Sequence, residues 1–356
     1  MGTSPIGTAS ELDALRLQYE SSLSWRLTRP LRSLSRAVRR PAEPVPDTGF
    51  QPAPLSAGSY DLWLQSFWDE QLSVIDSACA AAAPERYALF RDLEADLWAL
   101  LLTQDYEAYP NIRALLPDIP SVELQVMWNG TSGLTLAAQS CAFYRLLGRL
   151  QAEHGQRPLE ECRVLDFGCG WGRLTRFLAR DIEPGCLCGC DPAGPILDVA
   201  RNSGVPAELA LSEFVPQQLP FDQRFDLAFA FSVFTHLSES AHLASLRALH
   251  AAIVPGGLLV ATVRPPEYLR VWTSLHPALT ALGPAPARRL DEPLYLFAPH
   301  DQLPLMFDGE ERELTYGDTV ITLAYVREHW SEMFELIDID LVLDDPHQIV
   351  LTLRRR

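Results

Sequence analysis

The residues best suited to chemistry gather in one run, Arg163-Val-Leu-Asp166-Phe-Gly168-Cys169-Gly170-Trp-Gly172-Arg-Leu-Thr-Arg-Phe-Leu-Ala179. Glycines at alternate positions make a turn in which backbone can approach a ligand where side chains would clash. Asp166 ends the apolar stretch Val164, Leu165, Phe167, the place where open α/β sheets bind ligands. Asp191 closes the next apolar stretch, at the same end of the sheet as Asp166. A phosphate-binding P-loop is excluded, because it needs Gly-Lys-Ser/Thr and the chain contains no Lys. A dinucleotide fingerprint would space its glycines as Gly-x-Gly-x-x-Gly, which this turn does not. His236 is the titratable side chain just past a later strand, and an imidazole has the intrinsic pKa to take a proton from a hydroxyl. The alternative for His236 is a helix cap or a wall of the pocket.

These residues need a sheet to hold them. After the glycine turn, expected to lead into an amphipathic helix, strands and helices alternate. Strands are predicted at 186–191, 207–211, 225–231 and 258–263, with helices at 196–202 and 239–253. Pro255-Gly256-Gly257 is expected to end the second helix. Continuous apolar strands between helices predict a parallel sheet covered on both faces. The pattern resumes with a helix at 323–334 and strands at 336–343 and 348–353. Between them, residues 264–319 are rich in Pro and aromatics, and a connection this long is expected to be functional. We read it as a substrate lid, with Tyr268, His276, Tyr295, His300 and Asp308 as further candidates. Trp171 either walls the pocket or packs.

Upstream, residues 1–58 read as a basic arm and a Pro-rich linker. Residues 59–120 read as a helical extension, with helices on either side of Pro84 and a loop from Pro110 to Pro120. Residues 121–356 form the remaining domain, entered through Asn129-Gly-Thr-Ser-Gly133 and a helix to Leu150. The formal charge of −17 argues against a nucleic-acid partner. The first 40 residues run the other way, with seven Arg against Glu11, Asp13 and Glu20. Their Trp25-Arg-Leu-Thr-Arg segment allows an interfacial membrane contact, a solvated arm or a packed helix. No apolar run approaches the ~18 residues that span a bilayer, and no secretory signal is visible. A myristoylation site is discarded because residue 6 is Ile. Seven Cys in no scaffold pattern fit a reduced, cytoplasmic compartment. Cys186-Leu-Cys188-Gly-Cys190 reads as small buried strand residues in preference to a metal site; no metal is expected.

The Asp-x-Gly-x-Gly-x-Gly run resembles motif I of the class I S-adenosylmethionine-dependent methyltransferases. Asp191 at the end of the second strand extends the likeness, as do Phe225-Asp226 to Phe231-Ser232-Val-Phe-Thr-His236-Leu and Leu249 to Pro255-Gly256-Gly257. The resemblance covers roughly 121–264 and the terminal helix–hairpin from 320. It implies a Rossmann-like, doubly wound, mostly parallel seven-stranded sheet with an antiparallel C-terminal strand, S-adenosyl-L-methionine as cofactor, and methyl transfer. The implied cofactor-binding residues are Asp166, Gly168, Cys169, Gly170, Gly172, Asp191, Pro192, Ser212, Glu213, Phe231 and Ser232. Ser212 and Glu213 stand nearest the adenine, although this stretch departs from the family's usual Asp-then-small pattern. His236 is the catalytic candidate.

Base-modifying members of the superfamily carry Asn/Asp-Pro-Pro-aromatic after the fourth strand. Here that site reads Phe231-Ser-Val-Phe-Thr, which disfavours base methylation. Near the N-terminus, Ser24-Trp-Arg-Leu-Thr-Arg-Pro-Leu-Arg32 resembles tails of bacterial surface-polysaccharide glycosyltransferases and associated enzymes. By that analogy the expected acceptor is a sugar or sugar-containing polymer, methylated on oxygen. Residues 24–40 would then contact the inner membrane face or a glycosyltransferase. The alternatives are a natural-product methyltransferase and a catalytically silent binding module.

Overall fold

The computed structural model describes residues 60–80, 86–183, 185–269, 292–299 and 315–356. The arm at 1–58 and the candidates His276, His300 and Asp308 lie outside them. The chain enters through helices α1 (Asp61–Phe67), α2 (Asp69–Cys79), α3 (Ala95–Thr103) and α4 (Pro110–Leu115). Acidic side chains tie the first two helices to α4 and the loop before it. Asp61 Oδ1 accepts from the amides of Glu107 and Ala108, and Asp76 Oδ1 accepts from Ile112, each at 2.9 Å. The expected loop at 110–120 is thus a helix in its first half. Pro110 takes the first helical position, where its fixed φ suits the helix and its missing N–H costs nothing.

Helix α5 (Val122–Asn129) is capped by Ser121, whose hydroxyl accepts from Leu124 N, and ends at Gly130 in the left-handed region. Helix α6 (Gly133–His154) then runs beside the sheet. Strand β1 (Val164–Phe167) precedes the glycine turn, after which helix α7 (Thr175–Leu178) is only four residues long. The amphipathic helix expected there has no solvated face. Arg173, Arg176 and Arg180 are all buried, the last two beneath the segments that join the N-terminal helices. Arg180 Nη1 donates to Phe90 O and Leu93 O, Arg176 Nη1 to Asp118 O, and Trp98 Nε1 to Phe177 O. Tyr60, Leu64, Trp98 and Ile112 belong to the same apolar cluster as Val164, Phe177 and Phe229 of the sheet layer.

Strands β2 (Leu187–Asp191), β3 (Glu208–Leu211), β4 (Phe225–Ala230) and β5 (Ile253–Val263) follow, with helix α8 (Gly194–Asn202) after β2 and α9 (Glu239–Ala252) after β4. A two-stranded hairpin, β6 (Tyr295–Pro299) with β7 (Gly317–Ile321), is followed by helix α10 (Leu323–His329), β8 (Phe334–Leu341) and β9 (Ile349–Arg355). The sheet order is β3-β2-β1-β4-β5-β9-β8. Strands β1 to β5 pair in parallel, and β9 lies antiparallel to both β5 and β8. The doubly wound, mostly parallel seven-stranded architecture is as expected. Two boundaries differ. Pro255-Gly256-Gly257 lies within β5, where Phe225 pairs with Ile253 and Leu227 with Leu258, so these residues form a bulge instead of a helix end. The last helix stops at His329 because Trp330 turns the chain into β8. Cys188 and Cys190 are buried on β2, and Cys186, just before it, is half-buried. No described helix is long and apolar enough to cross a membrane.

Candidate active site

The carboxyl ends of β1, β2, β4 and β5 open into a cavity of about 500 Å³. Asp166 lies at its base, 2% exposed, and accepts from Thr175 Oγ1 at 2.6 Å. Burial pushes its carboxyl up to about 7, against the opposing pull of the Thr175 hydrogen bond and the Arg173 charge. Asp191 is also buried and is raised to about 6 by the same desolvation. Its two oxygens accept from Gly170 N and Ala193 N, both at 2.9 Å, which fixes the carboxylate plane. Each oxygen retains a lone pair for a further donor.

The glycine turn supplies room, not donors. The amides of Gly168 and Cys169 both bond Cys190 O, and that of Gly170 is held by Asp191. Gly168 has φ +79°, and a Cβ there would sit 2.4 Å from Val233 Cγ2. Gly170, at φ +53°, is likewise closed to a side chain by Trp128 Nε1 at 2.7 Å. Of the residues implied by the resemblance, Asp166, Gly168, Cys169, Asp191, Pro192, Ser212, Glu213, Phe231, Ser232 and His236 line the cavity. Gly170 and Gly172 stand behind its wall. Trp171 does both of the things expected of it. It lines the cavity and packs with Ala193 and Ile196, while its Nε1 donates to Asn129 Oδ1 at 2.9 Å.

The residues present fit a nucleoside bearing an amino-acid tail. A buried acid stands at the end of β1 and a second, oriented acid at the end of β2. Ser212 Oγ is buried just past β3, beside the Cys190 thiol. S-adenosylmethionine has groups that meet each of them. Asp191 would take the ribose, Asp166 the ammonium, and the stretch from Ser212 to Phe214 would flank the base.

The other half of the cavity is built by parts that the sequence did not bring together. Arg264 and Tyr268 come from the end of β5, Thr315 and Tyr316 from the start of β7, and Asp345, His347 and Gln348 from the β8–β9 turn. Strand β7 is stitched to the segment after β4: Gly317 N donates to His236 O and Thr319 N to Thr235 O, both at 2.8 Å. This brings the Tyr316 ring parallel to His236, with centroids 5.1 Å apart. The carbonyl of Gly317 lies 2.6 Å from His236 Nδ1. A carbonyl can only accept, so Nδ1 carries the proton and Nε2 keeps its lone pair. Arg264 Nη2 donates to that Nε2 at 3.2 Å, and Nη1 of the same guanidinium is paired with Asp318. Ser232 is the one non-glycine residue among those described with positive φ, at +59°. Its amide donates to Thr262 Oγ1 at 2.7 Å, and its hydroxyl accepts from Gln348 Nε2 at 2.6 Å. A strained residue held from two sides at the mouth of β4 is the kind found at functional centres. Tyr295, by contrast, points away and bonds Leu237 O.

The fold and the two acids define a nucleoside-cofactor domain of the doubly wound class. Residues 164–257 match the methyltransferase domain family. The likeness is to methyltransferase domains and covers this segment of the chain. Among similar proteins, the ubiquinone biosynthesis O-methyltransferase of Methylobacterium sp. (strain 4-46) is 33% identical over 111 residues, 30% of this chain and 43% of that protein. A probable fatty acid methyltransferase of Pseudomonas putida is 26% identical over 226 residues, 56% of this chain and 52% of that protein. The crystal structure of an S-adenosylmethionine-dependent methyltransferase from Mesorhizobium loti aligns with a TM-score of 0.40 at 16% identity, over 61% of this chain and 98% of that one. The chain spans about half the length of the curated relatives it matches.

Proposed function

We propose that the whole chain methylates a hydroxyl oxygen on a sugar or sugar-containing acceptor. The observation that carries this is the make-up of the second half of the cavity. Planar polar side chains (Arg264, His236, Gln348, Asp345) line it together with Tyr268 and Tyr316. A polyhydroxylated ring is bound by such a mixture, through hydrogen bonds at its edge and ring contacts on its faces. The short N-terminal likeness to surface-polysaccharide enzymes supports the same class. The bound cofactor supplies an electrophilic methyl group on a sulfonium sulfur.

The protein's part in this reading is alignment and one proton transfer. Holding the acceptor oxygen in line supplies most of the rate, because displacement at a methyl group is sensitive to angle and distance. His236 receives the hydroxyl proton at Nε2, where the acceptor hydroxyl displaces Arg264 Nη2. The Gly317 carbonyl keeps the ring oriented. Asp318 Oδ1 lies 3.6 Å from Nδ1 and is shared with Arg264. Arg264 stays in place through Asp318 and stacks on Tyr268 at 4.5 Å.

The test is turnover of radiolabelled S-adenosylmethionine by the full chain against free sugars, nucleotide sugars, a catechol and a fatty acid. Transfer to a sugar hydroxyl, lowered about a hundredfold by His236→Asn with cofactor affinity unchanged, is expected from the usual size of general-base effects. Transfer only to the catechol or the acid would sink the sugar assignment and favour a small-molecule enzyme. For residues 24–40 the reading is a contact with an anionic membrane face or a glycosyltransferase. Co-sedimentation of the full chain with phosphatidylglycerol vesicles at low salt, lost on deletion of 1–58 while cofactor binding persists, would support the first. Its absence in the full chain would remove it.

A further inference from the structure

Helices α1 and α2 carry apolar side chains on both sides. Inward, Leu64, Leu72, Ile75 and Cys79 are buried in the cluster that also takes in Val164 and Phe229 of the sheet. Outward, Leu62, Trp63 and Phe67 on α1 and Val74 on α2 are 73, 54, 77 and 68% exposed. Single exposed apolar residues are ordinary, but three on one seven-residue helix, two of them aromatic, make a patch. The Trp63 ring meets Tyr60 edge-on at 5.8 Å, and Phe67 meets Trp68 at the same distance, so the outer rings are braced by neighbours. A helix that is apolar on both sides calls for a second layer. The same two helices hold Asp61, Asp69, Glu70 and Asp76 and no basic residue. Among the described residues no cation is paired with any of the four.

We propose that residues 24–40 of this chain dock on that outer face. Its occupant must bring apolar side chains and positive charge together. A second copy of the face fails the charge condition, since a two-fold contact would set four carboxylates against the same four. An anionic lipid surface fails it for the same reason. Residues 24–40 meet both conditions. They hold six Arg and no acid, with Leu27, Leu31, Leu34 and Val38 spaced four, three and four apart, the spacing that shares one face of a helix. They lie outside the described residues, and residues 41–59 join them to α1. At about 3.3 Å per residue that connection reaches ~60 Å, against roughly 27 Å for α1 and α2 end to end. Such a tether sets an effective concentration on the order of millimolar, so docking within one chain outcompetes exchange between chains at micromolar protein. The docking is independent of the methyl-donor and acceptor readings. It goes beyond the surface contact proposed for the same residues, which then requires their release, because that surface and the α1–α2 face compete for the same arginines.

The experiment is photocrosslinking in the full chain from Phe67→p-benzoylphenylalanine, and in parallel from Trp63→p-benzoylphenylalanine. Both positions face water, so neither probe disturbs the core. Mass spectrometry should find adducts within one chain to residues 24–40. Their yield should fall severalfold when Arg29, Arg32 and Arg36 are changed to Glu together, and fall also as salt is raised. Adducts that join two chains, or that reach another segment of the same chain, overturn the docking. So does a yield that charge reversal leaves unmoved, or the absence of an adduct from both probes. Adducts to the lipid of phosphatidylglycerol vesicles, formed while residues 24–40 go unlabelled without vesicles, assign the face to a membrane and overturn it as well.

Discussion

Lowering the pH should weaken cofactor binding in two separable steps. In the unliganded protein Asp166 is raised to about 7 and Asp191 to about 6, both chiefly by burial. An ammonium and a pair of ribose hydroxyls both require ionised carboxylates, so protons compete with the ligand. Each pH unit below such a pKa costs about a factor of ten, or ~1.4 kcal/mol. Between pH 7.5 and 5.5 the Asp191 step therefore contributes roughly fourfold and the Asp166 step roughly twenty- to thirtyfold, or about a hundredfold together. Calorimetry with S-adenosylhomocysteine in two buffers of different ionisation enthalpy measures both the affinity and the protons released. Asp191→Asn should remove the lower step and move the upper one to lower pH, because the Asp191 charge is one of the groups that raise Asp166. The stability of the unliganded protein moves the other way. A folded-state pKa above the unfolded value contributes stability that is fully present below about pH 4 and is lost as pH rises through 6 and 7. Affinity that is flat from pH 7.5 to 5.5, with no proton release, would refute the claim that these two carboxylates hold the ligand.

Two further outcomes follow from the packing. Gly168→Ala places a Cβ 2.4 Å from Val233 Cγ2 at a φ of +79°. The backbone penalty alone is roughly 1–2 kcal/mol, so a lowered melting temperature and weakened S-adenosylhomocysteine binding should appear together; a variant that melts like the wild type would contradict the geometry. Trp98→Ala removes a fully buried ring and its hydrogen bond to Phe177 O. It should cost about 3–5 kcal/mol in urea unfolding, and an unchanged midpoint would mean that the N-terminal helices do not support the glycine turn.

Much of the core fold could be read from periodicity. Continuous apolar runs such as Leu227 to Ala230 have no polar face to expose, so each had to be an inner strand, and the helices between them set the parallel pairing. The covering layer was harder. Nothing in Arg173-Leu-Thr-Arg-Phe-Leu-Ala-Arg180 distinguishes an amphipathic helix with solvated arginines from the observed four-residue helix with buried ones. The deciding partners, Phe90, Leu93 and Asp118, lie 58 to 90 residues upstream and act through backbone carbonyls, which carry no sequence signature. Pro110 misled for a related reason, since proline both breaks helices and starts them, and only the residues after it decide which.

The two halves of the site differ in the same way. The cofactor half is local: Asp166 and Asp191 end adjacent parallel strands, so the sheet alone places them together, and a short motif can record that. The acceptor half has no such economy. His236 faces Arg264 only because the carbonyl of Gly317, eighty-one residues later, turns its ring, and Ser232 keeps its strained backbone only because Gln348 reaches back 116 residues to its hydroxyl. Each of these side chains is common in isolation, and its role exists only in the pairing. Variation at Arg264, Tyr316 or Gln348 would therefore change the shape of the acceptor chamber while leaving the Asp166–Gly172 run untouched. Under the proposed function, substitutions at the start of β7 and in the β8–β9 turn should alter the choice of acceptor without altering cofactor affinity.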